Sequence, residues 1–156
     1  MRYEFYCLSC AVLFIFFGGC ASNKTSSDTA EKMSDARLAD LGSGICKETT
    51  ASGLMWVKQP SPTFQLWEDA AAYAEGLQLQ GYDDWRLPTK NELHRLHDIF
   101  FWKKNGDCNM QTSGSYWWGS EKANAGPGHW ETYFLCSPEF KFVETPGNGM
   151  VRAVRP

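Results

Sequence analysis

Residues 44–156 are predicted to form one domain that mixes helices with short strands, and three observations predict it. Two stretches carry apolar residues at helical spacing: Trp67, Ala70, Ala71, Ala74 and Leu77 in one, Leu93, Leu96 and Phe100 in the other. Short aromatic or β-branched runs, separated by Gly, Pro and Asn, lie before and after them, as strands joined by turns do. The length, 156 residues, suits one domain better than two. This pattern is consistent with an α+β domain.

The elements follow in order. "ICKETT" and "LMWVK" read as two short strands around a turn, with Gly53 supplying permissive backbone. "QPSPT" breaks the chain at Pro60 and Pro62. "FQLWEDAAAYAEGLQL" is the first helix, whose Ala-rich face allows close approach to a neighbour. Gly81, Tyr82, Asp83 and Asp84 form a polar turn, and Pro88 drives Leu87 out of helical geometry. Thr89 then caps the second helix, and Glu92 completes a capping box. "WKKNGDCNMQTSGS" is a loop, and "YWWGS", "HWETYFL", "FKFVE" and "MVRAVR" are strands. "EKANAGPG" is a loop between the first two of these, and no internal repeat is present.

Residues 1–19 are read apart from the domain. The apolar run "FYCLSCAVLFIFF" is shorter than the roughly 20 residues a spanning helix needs, but it suits a signal-peptide core. It ends in "FGGC", which resembles a bacterial lipobox and implies cleavage before Cys20 and lipidation of its thiol. The alternatives are an uncleaved anchor or a plain secretory signal. Ala21 and Ser22 follow, with no Asp beside the Cys; by resemblance to lipoprotein sorting in Gram-negative cells, this implies the outer membrane. Residues 20–43 are polar and are read as a tether, in which "TAEKMSDARLADL" can form a short helix.

Cys7 and Cys10 leave with the leader, so Cys46, Cys108 and Cys136 remain. Export permits a disulfide. Cys108–Cys136 is the expected pair, because both flank the second half of the domain, with Cys46 unpaired. The net charge of −3 gives no support for nucleic acid as a partner. Aromatic residues make up 15% of the chain and include seven Trp, so the rings either fill a core or form an adhesive surface.

Taken in order, "SGLMWVK", "WEDAAAYAEGLQLQGYDDWRLPTKNELHRL", "YWWGS" and "VRAVR" resemble the Lcl C-terminal domain family, named from the Legionella collagen-like protein. Trp56, Trp67, Asp84, Trp85, Arg86, Leu87, Pro88, Thr89, Glu92, Leu93 and Arg152 carry the resemblance as a structural signature. The helix pairing is also similar to the formylglycine-generating enzyme superfamily. That likeness implies an irregular, C-type lectin-like α+β fold with two helices and a small twisted antiparallel sheet. Those enzymes oxidise a substrate Cys using cysteines and copper, but Ala153 stands here where such relatives carry a Cys beside the Arg. Ala74 likewise stands where many family members have a Cys. No catalytic residue and no cofactor are therefore expected. The family context suggests sulfated sugars or host surfaces as ligands.

The remaining candidates are weighed on chemistry. His94, His97 and His129 do not match a zinc pattern, which takes about three or four ligands; they are expected on the helix surface or satisfied in the core. Asp83 and Asp84, with Glu121 or Asn124, fall short of the roughly six to eight oxygens of a calcium site and read as a polar turn. Arg86, Arg152 and Arg155 are expected to pair with Asp83, Asp84 or Glu92. Lys90, Arg95, Lys103 and Lys104 read as a solvated face rather than a polyanion site. Trp117 and Trp118, adjacent on a strand, must point to opposite faces. Trp118 and Trp130, with Glu121 and Asn124, are the ligand-contact candidates, and the loop beside them either exposes or covers the rings. "GYDDWRLPTKNELHRL" reads as scaffold. The expected function is a membrane-anchored, non-enzymatic binding or adhesion module for a glycan or cell-envelope ligand. The alternative is a structural or assembly lipoprotein with a periplasmic protein partner.

Overall fold

The computed structural model describes residues 36–133 and 139–156. The stretch read as a leader, Cys20, the stretch read as a tether up to residue 35, and Cys136 lie outside them. The described elements are β1 (Leu38–Asp40), β2 (Ile45–Glu48), β3 (Met55–Val57), β4 (Thr63–Phe64), α1 (Trp67–Glu75), α2 (Lys90–Phe101), β5 (Tyr116–Trp118), β6 (Gly126–Tyr133), β7 (Glu139–Glu144), β8 (Gly149–Met150) and β9 (Val154–Arg155). The class is α+β, as expected. The strands make two sheets rather than one: an antiparallel β1-β2-β3-β9 and a five-stranded β4-β8-β5-β6-β7. In the second sheet β5 and β8 run parallel.

The fold begins before residue 44. Leu38 pairs with Glu48 across β1 and β2, and its side chain is 1% exposed. A short strand with one buried Leu in a polar stretch leaves almost no periodic signal. "MVRAVR" divides as well: Met150 ends β8 in one sheet and Val154 starts β9 in the other. Val151, Arg152 and Ala153 are buried between the sheets. Residues 126–128, read as loop, belong to β6, while Lys122–Asn124 form one turn of 3₁₀ helix.

Alternation along the strands feeds two cores. Cys46, Trp56 and Tyr116 join Leu93, Leu96 and Ile99 of α2 in one cluster. Ile45, Trp117 and Val151 join Ala70, Ala71 and Ala74 of α1 in the other. Trp117 and Trp118 thus point to opposite faces, Trp118 packing against the α2 cluster. The α2 start is the expected capping box: the Glu92 amide donates to Thr89 Oγ1 at 3.2 Å, and the Thr89 amide donates to Glu92 Oε2 at 2.8 Å. The turn before it is a two-residue hairpin. Gln80 and Gly81 both take positive φ while Leu79 and Tyr82 exchange backbone hydrogen bonds.

The disulfide joins Cys46 to Cys108, correcting the expected Cys108–Cys136 pair and the free Cys46. The reason is topological. β2 carries Cys46 into the α2 core, and the loop leaving α2 folds back over that core. The two Cα atoms come within 6.0 Å although 62 residues separate them.

Arg152 also departs from expectation, since it pairs with no carboxylate among the described residues. Its guanidinium is 1% exposed and donates to the carbonyls of Val57 (3.0 Å), Lys58 and Gln111, and to the Tyr116 hydroxyl at 3.1 Å. It thereby ties β3, the 111 loop and β5 together. Burial pushes its pKa down, but the arginine remains a cation whose charge is met by carbonyl dipoles. The other two arginines pair as expected. Arg155 bonds Asp84 (3.0 Å to Oδ2) and lies 3.9 Å from the Tyr82 ring centroid. Arg86 forks onto Glu92.

Candidate functional site

Two clefts flank opposite ends of α2. Its twelve residues span ~18 Å.

The first cleft, about 220 Å³, lies where α1, the Arg86–Leu87 corner and the Gly119–Ser120 turn meet. Trp67, Ala71, Glu75, Arg86, Leu87, Gly119 and Ser120 line it. Each wall has a local cause. Trp67 opens α1, and its Nε1 donates to the Gly119 carbonyl at 3.1 Å, which fixes the indole against the turn. Gly119 in turn donates its amide to Pro88 O at 3.0 Å. Its φ of +106° is glycine territory, and a Cβ there would lie 2.7 Å from the Ala125 Cα. Arg86 reaches the cleft already held: Nη1 and Nη2 donate to the two Glu92 oxygens at 2.9 and 2.8 Å, and Nη1 also donates to Leu87 O at 3.1 Å. Burial raises the Glu92 pKa, but the Arg86 guanidinium and the Thr89 amide outweigh it and hold the carboxyl below its usual range. The Glu92 hydrogen bond raises Arg86 in return. Glu92 therefore serves the helix cap and the cleft at once. Glu75 and Ser120 are exposed, leaving a carboxylate and a hydroxyl facing solvent beside an indole and an apolar floor.

The second cleft, about 380 Å³, is lined by Arg37, Arg95, Asp98, Ile99, Trp102 and Lys104. The Arg95 Nε donates to Glu48 Oε2 at 3.2 Å. Glu48 is itself buried, and also accepts from Trp56 Nε1 at 2.9 Å and from the Thr50 hydroxyl at 3.3 Å. Asp98 is tied to His94 at 3.2 Å. Trp102, 60% exposed, forms the rim. The Arg37 amide donates to Lys104 O at 2.7 Å, so the first described residues run directly along this cleft.

The predicted ligand contacts fare unevenly. Trp130 packs among His97, Tyr116 and Phe142, with ring centroids 4.4, 5.4 and 5.3 Å away, and belongs to the core. Trp118 is half-buried beneath Lys90, whose ammonium lies 5.2 Å from the ring centroid. Glu121 and Asn124 are exposed on the turn that follows the first cleft. His94 is exposed, while His97 is partly buried. Among the described residues, no group of three or more His, Cys, Asp or Glu is placed to hold a metal ion. No described helix is long and apolar enough to cross a membrane. The corner read as scaffold is also wall, since Arg86 and Leu87 line the first cleft. Sequence reasoning passed over Trp102, Arg37 and Glu75. Trp102 carried a signal, being an aromatic just past the last buried position of an amphipathic helix.

The model of the Lcl C-terminal domain family matches residues 46–155, and the chain belongs to that family. No curated protein matches the chain.

Proposed function

We propose that this member of the Lcl C-terminal domain family is a binding module that holds a glycan in the cleft of Trp67, Glu75, Arg86 and Ser120. The observation that carries this reading is the pinned Trp67 indole. A flat ring held in a shallow cleft beside a carboxylate, a guanidinium and a hydroxyl offers one apolar face for a pyranose and several groups for its hydroxyls. Supporting a binding rather than a catalytic role, Cys46 and Cys108 are joined to each other, so neither is free to serve as a thiolate. The lipobox-like "FGGC" supports a lipid anchor at Cys20, and Ala21 and Ser22 after it, with no Asp beside the Cys, support an outer-membrane location.

A second reading, a protein partner in the envelope, draws on Leu66, 58% exposed at the start of α1, and Tyr73 on the outer side of that helix. Calorimetry against a panel of neutral and acidic oligosaccharides separates the two. Glycan binding that weakens at least ~10-fold in Glu75→Ala, as expected for loss of a hydrogen bond to a charged group, supports the module. No binding across the panel, or binding indifferent to Glu75→Ala, refutes the glycan reading.

A further inference from the structure

We propose that the second cleft, at the C-terminal end of α2, is a docking surface for the phosphate headgroups of an anionic lipid bilayer. Four observations converge there. Arg37, Arg95 and Lys104 line the cleft against one acid, Asp98, and that acid is engaged by His94. Arg95 is partly satisfied by Glu48, whereas the Arg37 side chain makes no ion pair among the described residues. Trp102 is the most exposed of the large hydrophobic side chains among the described residues. An indole beside cations suits the boundary between headgroup and acyl chain, where a ring with one apolar and one polar side is most stable.

The third observation is a conformational cost. α2 ends in a Schellman motif: the Lys103 amide donates to Phe100 O at 3.0 Å and the Lys104 amide to Ile99 O at 2.8 Å. The left-handed position of that motif normally falls to Gly, yet here it holds Lys103, at φ +56°. The strained turn leaves Lys103 exposed, directly after Trp102 in the chain, and strain retained in this way is typical of working surfaces.

The fourth observation is direction. The described chain starts at Ala36 and runs along the cleft through Arg37, so whatever precedes it is attached at this face. If Cys20 carries the lipid, fifteen residues, 21–35, join it to Ala36. Even fully extended they reach only ~55 Å, which keeps the domain near the bilayer and raises its effective concentration there. The clustered cations and the exposed indole favour an anionic bilayer with or without the anchor.

The test uses the full chain with phosphatidylcholine vesicles prepared with and without phosphatidylglycerol, some carrying brominated acyl chains. Trp102→Phe identifies the Trp102 part of the emission. The expected result is quenching of that part by brominated lipid only when phosphatidylglycerol is present. Each basic side chain near an anionic surface contributes about fivefold in affinity, so Arg37→Gln with Lys103→Gln is expected to weaken this association roughly 30-fold. Both variants are checked for native circular dichroism, and Arg155→Gln, remote from the cleft, is expected to leave the lipid response unchanged. Trp102 emission insensitive to phosphatidylglycerol overturns the proposal. So does saturable binding of dextran sulfate through Arg37 and Lys103 without any lipid response, which makes the cleft a polysaccharide site. Neither outcome bears on Glu75→Ala, so the glycan reading stands or falls separately.

Discussion

Removing the disulfide is the sharpest probe of the chain's architecture. Cys46 and Cys108 close a loop of 62 residues and are fully buried in the α2 core. A cross-link of that length removes unfolded-state entropy worth about 4 kcal/mol at room temperature, and native strain or residual structure in the unfolded chain reduces the measured value. A Cys46→Ala, Cys108→Ala variant also leaves a small void where two sulfurs packed, which adds to the loss. Set against a typical total of roughly 5–15 kcal/mol, the loss leaves the domain marginal at body temperature. Urea unfolding of the oxidised wild type and the double variant is the assay. The expected result is a loss of about 4 kcal/mol, a melting temperature lower by ~15 °C and a steeper denaturant slope, because the unfolded chain is no longer cross-linked. Cys136→Ser is expected to leave both quantities unchanged, and peptide mapping of the oxidised protein to recover Cys46 joined to Cys108. A loss below ~1 kcal/mol, or a Cys108–Cys136 peptide, refutes the assignment.

Two further predictions concern α2. Lys103→Gly relieves a left-handed conformation that costs an L-residue ~1 kcal/mol or more, at the expense of glycine's extra unfolded entropy and of a cation near the helix end. A net gain of about 0.5 kcal/mol in urea unfolding is expected, and a loss shows that Lys103 makes a stabilising contact. His97 gives a pH signature. Burial first, and His94 second, depress its pKa to about 3, so the folded protein keeps the ring neutral while the unfolded chain takes up a proton below about 6.5. A depressed folded pKa on a base means that stability is fully present above the unfolded value and is lost as pH falls from there toward 3. Between pH 7 and 5 the loss is about 1 kcal/mol, half the full linkage value because the ring is only partly buried. His97→Phe is expected to flatten this slope, and an unchanged slope assigns it to another group.

Legibility in the sequence followed the range of the interactions. The capping box at Thr89 and Glu92 lies within four residues, so chemistry that acts locally announced it. The opposite facing of Trp117 and Trp118 follows from strand geometry alone. The Cys46–Cys108 pair did not show, because sequence spacing says nothing of a loop that folds back across a helix. β1 was hidden for a related reason: it is held by pairing with β2, and a three-residue strand carries too little pattern of its own. Arg152 was misjudged because a buried guanidinium was expected to need a carboxylate. Three carbonyls and a hydroxyl, brought together from β3, the 111 loop and β5, meet its charge instead.

The same distinction explains the clefts. Local signals located α2, and the functional reading of its flanks depends on what long-range packing delivers to each end. At the start, the Glu92 that caps the helix also holds Arg86 against the Trp67 wall, so the scaffold motif and the Trp67 cleft share one carboxylate. Glu92→Gln should therefore disturb both together, weakening the cap and loosening Arg86. At the far end, Arg95 is steadied by a buried Glu48 and Lys103 is held in a conformation that a glycine would tolerate better. Stability alone does not favour a lysine at that turn, whereas the proposed contact with an anionic surface would. One end of α2 is thus organised around an indole and a carboxylate and the other around an indole and cations, so the same helix presents two chemically different surfaces at its two ends.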